Sequence, residues 1–350
     1  MSKSVNSQSI IYKYNIALDA MGGDFAPNET ISGALEACSN KDTRILLVGD
    51  EDEVMRLLPA NIPDNLIIIP SHGVIYETEH PIDAMKSKPN SSILVSANMV
   101  QQGLADAYVS MGSTGAAMAA GVVCLGTLPG VERPALGGPF LGLAPNTVLV
   151  DLGTSVDNRP SQLVNYGVLG VAFSKIFCDI DNPKVGLLSV GSEEGKGNRQ
   201  TREAHNLLSK SNLNFIGNVE GIDIPKAKAD VIVCDGFVGN ILMKFTEGLG
   251  QAIIEYLGKY LDASKGEAPG LLIQELNKLT NFAEHFGGAP LLGLNGICVV
   301  GHGRSRSRAI MLAIEMAKTA IEKQFVEVMT KELSKVNGHN IVPHGENNDG

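Results

Sequence analysis

The sequence predicts an α/β protein, a three-layer α/β/α arrangement with a mostly parallel sheet between two layers of helices. Three observations predict it. Short apolar runs recur along the chain, and they are nearly continuous Val, Ile and Leu rather than alternating, as strands buried on both faces are. Most of these runs end in a Gly-containing turn. The stretches between them suit helices, and strands alternating with helices argue for parallel pairing. In such sheets ligands bind beyond the carboxyl ends of the strands, where the Gly turns fall.

Taken in order, Tyr14–Asp19 (YNIALD) is the first strand and leads into Met21-Gly22-Gly23-Asp24. A helix is expected from Pro27 to Ser39, with proline in its first turn as helix starts allow. Arg44–Val48 and Leu66–Ile69 follow as strands. Ala107–Ser110 runs into Gly112-Ser113-Thr114-Gly115 and an Ala-rich helix. Thr147–Asp151, Val185–Val190, Asp230–Cys234 and Gly296–Val300 are further strands, ending at Gly153, Gly191, Gly236 and Gly301. A helix from Asn240 to Leu261, a polar break (DASKGEAPG) and a helix from Leu271 to Glu284 read as a protruding hairpin at about 240–285. The last helix, Ala309 to Lys335, repeats apolar residues at Ile314, Ala317, Ile321, Phe325 and Val328. Residues 14–335 form the α/β domain in this reading, and 1–13 and 336–350 are polar tails.

Composition narrows the function. The 350 residues carry a formal net charge of −10 and no Trp, so neither a basic field nor an aromatic platform for nucleic acid is present. Any anion must be held by local amides and a few placed cations. Five cysteines without a CxxC pair read as reduced, buried thiols of a cytoplasmic protein. Only Cys234 stands near a candidate site, and no His accompanies it. The longest small-apolar stretch, Gly115 to Leu128, is too short and too rich in Gly to span a bilayer. No P-loop, GxGxxG fingerprint, GxSxG elbow, HExxH or Cys/His cluster occurs, so no metal or cofactor is expected.

Three Gly-rich loops hold the candidate site residues. Gly112, Ser113, Thr114 and Gly115 suit either a phosphate nest at a helix N-terminus or an ordinary capped turn. In Gly191 to Asn198, Lys196 stands between two glycines, either as solvated surface or as a placed cation. In Asp235-Gly236-Phe237-Val238-Gly239-Asn240, Asn240 either caps the long helix or presents its amide to a substrate. His302 stands between Gly301 and Gly303. Arg304, Arg306 and Arg308 are either a docking patch for an acidic partner or a solvated helix start.

At these residues the chain resembles the PlsX-type acyl-(acyl carrier protein):phosphate acyltransferases of bacteria. The motifs that carry the resemblance are Leu18 to Asp24, Glu132 to Leu136, Gly191 to Asn198, Asn214 to Gly221, Asp235 to Asn240, Phe286 to Ala289 with Leu291 to Leu294, and His302-Gly303. Seven in family order are far more specific than any one. Two positions depart from the pattern: Ser113 and Ser155 stand where the family usually has Asn, and each exchanges an amide for a hydroxyl.

The resemblance implies a fold akin to isocitrate and isopropylmalate dehydrogenases, a homodimer and attachment to a membrane surface. It implies transfer of a long-chain acyl group from acyl carrier protein to inorganic phosphate, with Lys196 and Asn240 as catalytic residues and no cofactor. Asp19, Gly22, Gly23, Asp24, Gly112 to Gly115, Ser155, Gly191, Asn198, Asp235, Gly236, Gly239 and His302 are the expected substrate-binding residues. A glycerol-3-phosphate acyltransferase is the expected downstream partner. Leu271, Leu272 and Ile273 are candidate membrane anchors, or core or dimer packing. A phosphate acetyl- or butyryltransferase using coenzyme A thioesters and a non-catalytic scaffold of lipid synthesis remain as alternatives. A metal- and NAD-dependent dehydrogenase on the same fold would need an Asp cluster and an Arg-rich carboxylate site, and neither is found.

Overall fold

Continuous burial along most of the strands explains why helices cover both faces of the sheet. In the computed structural model, which describes residues 12–259, 268–282 and 286–337, the strands are β1 (Tyr14–Asp19), β2 (Thr43–Gly49), β3 (Leu66–Pro70), β4 (Ala107–Ser110), β5 (Ala135–Gly138), β6 (Val148–Val150), β7 (Val185–Leu188), β8 (Phe215–Val219), β9 (Val231–Val233), β10 (Ala289–Leu292) and β11 (Ile297–Val300). The helices are α1 (Asn28–Ala37), α2 (Glu51–Leu57), α3 (Pro81–Ser87), α4 (Ser92–Gln101), α5 (Thr114–Leu125), α6 (Pro160–Phe177), α7 (Arg199–Leu208), α8 (Gly236–Gly258), α9 (Ala268–Thr280), α10 (Ser307–Glu322) and α11 (Phe325–Asn337).

The strands form one sheet in the order β3-β2-β1-β4-β11-β10-β5-β6-β9-β7-β8. Ile16, Leu18, Ile45 and Leu47 point to one face, under α1 and α10; Ala17, Leu46 and Val48 point to the other, under α4 and α5. The first cluster runs on through Val148, Val150, Val231 and Val233 to α6 and α11. The opposite face is interrupted: one apolar cluster lies under α4 and α5, and a separate one gathers Phe140, Leu149, Leu152, Ile232 and Cys234 beneath α8.

The interruption follows from topology. β1, β2, β3, β4 and β11 are mutually parallel, and so are β6, β7, β8 and β9. Between the two groups, β11–β10, β10–β5 and β5–β6 are antiparallel. Three reversals make the two groups run in opposite senses, so the sheet has two α/β halves joined through β10 and β5.

The expected α/β class and the eight expected strands are present. β5, β8 and β10 were not anticipated from the sequence; β5 holds two glycines and β10 a proline, which mask a strand pattern. The expected final helix is two helices, parted where Gln324 takes a left-handed conformation (φ 53°). The long helix begins at Gly236 rather than Asn240, because the Asp235 side chain accepts a hydrogen bond from the Val238 N–H (2.8 Å) and caps it. Its partner begins at Ala268, ahead of the expected Leu271. Most of the polar break, the expected end at Glu284 and most of both tails lie outside the described residues.

Candidate active site

A cleft of about 520 Å³ opens where the two halves meet, on the interrupted face. The first half contributes Gly22, Gly23 and Asp24 after β1, Gly112, Ser113, Thr114 and Gly115 after β4, and Gly301, His302 and Gly303 after β11. The second half contributes Leu152 and Gly153 after β6 and Asn240, Met243 and Lys244 from α8.

The first-half loops are locked to one another. Asp19 is fully buried at the end of β1; its Oδ1 accepts from the Met21 N–H (3.2 Å) and its Oδ2 from Ser110 Oγ (2.7 Å). Ser110 Oγ in turn accepts from the Gly112 N–H (3.0 Å). The Asp24 N–H donates to the Gly303 carbonyl (2.7 Å), and the Gly301 N–H to the Ser110 carbonyl (3.0 Å). Burial pushes the Asp19 carboxyl above its ordinary range, while hydrogen bonds from Ser92, Ser110, Met21 and Gly22 pull it back. The Met21 and Gly112 amides therefore face inward. At α5 the Ser113 side chain accepts from the Ala116 N–H (3.3 Å) and caps the helix. Thr114 and Gly115 line the cleft at the positive end of α5.

The second half has a matching device that the sequence reading missed. Asp151, fully buried beyond β6, accepts through Oδ1 from the Leu136, Gly153 and Thr154 N–H groups (3.2, 3.1 and 3.1 Å). Its Oδ2 accepts from Thr154 Oγ1 (2.8 Å) and the Ser155 N–H (2.9 Å). Burial again pushes its carboxyl up, and bonds from Thr154, Gly153 and Leu136 oppose the shift. The turn so formed packs on the start of α8. A Cβ at Gly236 would meet Asp151 Oδ2 at 2.5 Å, and one at Gly239 would overlap the Asp151 carbonyl oxygen. Those two glycines let α8 approach closely enough to place Asn240 against Gly153, which itself takes φ +132°.

Each expected site residue can now be placed. Gly22, Gly23, Asp24, Gly112, Ser113, Thr114, Gly115, Asn240 and His302 line the cleft. Asn240 does not cap; it sits a turn inside α8 with its side chain at the cleft. Asp19, Ser155, Gly236 and Gly239 are buried behind the lining, and Asp235 caps α8. Gly191, Lys196 and Asn198 are not in the lining. Asn198 caps α7 by accepting from the Thr201 N–H (2.8 Å). Lys196 is 54% exposed, with Nζ 3.9 Å from Glu193 Oε1.

The thiols are suppressed rather than activated. Cys234 is buried beside Asp151 and Asp235, and burial pushes its thiol well above the usual range. The arginine run behaves as a helix start: Arg304 donates to Asn281 Oδ1 (2.9 Å), and Arg306 pairs with Glu29 (3.1 Å) and lies over the Phe25 ring. Glu29 also accepts from the Ser307 N–H (2.8 Å) at the first turn of α10. Lys244, unnoticed in the sequence because nothing local marks it, lines the cleft one turn beyond Asn240. Among the described residues no helix is long and apolar enough to cross a membrane.

Comparison with known proteins gives this arrangement relatives. A family model described as "Fatty acid synthesis protein" matches residues 14–328. A phosphate acyltransferase of Desulfitobacterium hafniense (strain DSM 10664 / DCB-2) is 42% identical over 327 residues, covering 91% of this chain and 98% of the relative. Among solved structures, a phosphotransacetylase from Streptococcus pyogenes aligns with a TM-score of 0.60 at 21% identity, over 91% of this chain and 96% of that one. A 4-hydroxythreonine-4-phosphate dehydrogenase from Klebsiella pneumoniae aligns with a TM-score of 0.51 at 13% identity, over 88% and 99%. At such identities these two likenesses concern the fold alone.

Proposed function

The chain belongs to the fatty acid synthesis protein family, whose relatives are phosphate acyltransferases, and from that premise we propose that this acyltransferase moves a long-chain acyl group from acyl carrier protein to inorganic phosphate. The observation that supports the reading best is the make-up of the cleft. Groups suited to an anion (the start of α5, Lys244, His302) and apolar side chains (Met21, Ile75, Met111, Met243) line one space. An acyl phosphate has one end of each kind.

The chemistry asks for positioning more than for a nucleophile from the protein. A phosphate oxygen bonds to the thioester carbonyl carbon, the C–S bond breaks, and the thiolate leaves with the electron pair. Phosphate is already anionic, and a thiol leaving group titrates near about 8.5, so no strong acid is required. In this reading the Asn240 amide donates to the carbonyl oxygen as it gains charge. Lys196 keeps its proposed catalytic part on the resemblance alone, since it lies outside the cleft lining.

Turnover settles the matter. Phosphate-dependent thiol release from palmitoyl-acyl carrier protein is expected, and Lys196→Ala and Asn240→Ala are each expected to lower it by about 10²–10³. Release only from palmitoyl- or acetyl-coenzyme A would replace the donor, and no release from any thioester would favour the scaffold alternative.

The proposed homodimer rests on α8. Ile241, Phe245, Leu249, Ile253 and Tyr256 recur at helical spacing and are all exposed, an apolar stripe suited to a second copy of the chain. Phe245→Asp is expected to halve the sedimenting mass; an unchanged mass would remove the stripe from the interface. Leu271 and Leu272 are likewise exposed on α9 and are the proposed contact with the inner membrane surface, where the product would pass to a glycerol-3-phosphate acyltransferase.

A further inference from the structure

We infer that Lys244 is the cation that binds inorganic phosphate in the cleft, and that Glu247 and His302 hold it in place. The inference rests on the phosphate acyltransferase reading and assigns the acceptor's seat within that site. Among the described residues that line the cleft, Lys244 is the one ammonium or guanidinium group, set against the carboxylates of Asp24 and Glu77. A phosphate entering a space with two carboxylates in its wall needs a compensating positive charge within a few ångströms.

Geometry shows how the charge is placed. Lys244 Nζ lies 3.1 Å from Glu247 Oε2, one helical turn along α8, and 3.2 Å from His302 Nε2 on the loop after β11. Lys244 thus ties the second half of the molecule to the first. An ammonium has three N–H donors; Glu247 accepts from one, His302 Nε2 accepts from a second in the tautomer that carries its proton on Nδ1, and the third is left for a ligand. Glu247 is only 13% exposed and is further steadied by Arg304 (3.8 Å). It fixes an otherwise flexible side chain. Asn240 stands on the same helix, four residues earlier and also in the lining, so one face of α8 presents an amide for the carbonyl beside a cation for the attacking oxygen. Lys196, by contrast, is paired only loosely and faces solvent outside this space.

The test uses the full-length chain and inorganic phosphate as probe. Titration calorimetry on wild type, Lys244→Met, Lys244→Arg and Glu247→Gln would be paired with the phosphate KM in the thiol-release assay. Lys244 is about half exposed, so Lys244→Met and Lys244→Arg should leave the melting temperature near wild type. Lys244→Met is expected to weaken phosphate binding and raise its KM at least about 10-fold, with the KM for the thioester donor unchanged. Lys244→Arg should recover part of the loss, and Glu247→Gln should raise the phosphate KM severalfold. Phosphate-dependent turnover with an unaltered phosphate KM in Lys244→Met would overturn the inference and leave the acyltransferase reading standing. A wild-type protein that neither binds phosphate nor needs it for thiol release would overturn both.

Discussion

Two Gly-rich regions look alike in the sequence and differ in the fold. Around Gly22, Gly112 and Gly303, the glycines exist so that three loops can touch. A Cβ at Gly22 would stand 2.6 Å from Asp19 Oδ2 and 2.8 Å from the Gly112 nitrogen, and one at Gly23 would meet Met111 at 3.0 Å and the Gly303 carbonyl at 3.2 Å. Gly191 to Asn198 is another matter. Ser192 to Lys196 are all exposed, a Cβ at Gly195 would meet nothing within 4 Å, and one at Gly191 would meet only the side chains of Lys196 and Glu193 within 3.3 Å. The first region is a built cradle and the second an open loop beyond β7. Glycine content therefore does not mark a site; what marks it is which backbone or carboxylate occupies the space a methyl group would need.

The largest effect that would sharpen this contrast is Gly22→Ala. Its added methyl group presses on a buried carboxylate and on a backbone amide, neither of which can swing away as a flexible side chain could. Overpacking of this kind costs about 1–3 kcal/mol, and a shift of about 1 Å among loops that face a substrate can cost about 10² in rate. A lowered melting temperature together with a turnover loss of that order is the expected outcome. Normal turnover in Gly22→Ala would mean that the cradle yields easily, and the distinction between the two regions would lose its physical basis.

How much of this was legible beforehand varies by residue. Seven of the eight strands recognised as apolar runs are buried on both faces over most of their length, so tertiary burial and local sequence agree; β3, at the sheet edge, leaves Ile67 exposed. β5 (ALGG) and β10 (APLL) escaped notice because their glycines and proline serve the junction between the halves rather than local strand preference. Asn240 was recognised, but its role was read against helix capping, and only Asp235 taking the cap frees it for the cleft. In the sequence Asp151 is a strand end; its acceptor role depends on four separate backbone N–H groups converging on it, which no spacing reveals. Lys244 sits on a helix with no local mark, and its meaning comes from His302, 58 positions away. Lys196 stands out in the sequence between two glycines and yet lies outside the lining.

The smallest expected effect is the one that could most directly break the comparison. Gly195 neighbours Lys196, and its φ lies outside the left-handed region that favours glycine. An alanine there meets nothing and strains nothing. It should also restrict the unfolded chain, which stabilises proteins by about 0.4–1 kcal/mol where the native backbone is compatible. Gly195→Ala should therefore keep wild-type turnover and melt at the same temperature or slightly higher. Next door, Gly197 has φ +104° and a Cβ there would crowd Thr201 at 2.8 Å, so the effect should be specific to position 195 within this stretch. If Gly195→Ala instead folds normally but loses about 10-fold or more in turnover, the loop needs a conformation that only glycine permits at some stage of the reaction. The movement by which Lys196 reaches the chemistry would then depend on that glycine, and the open region would be conformationally as demanding as the built one.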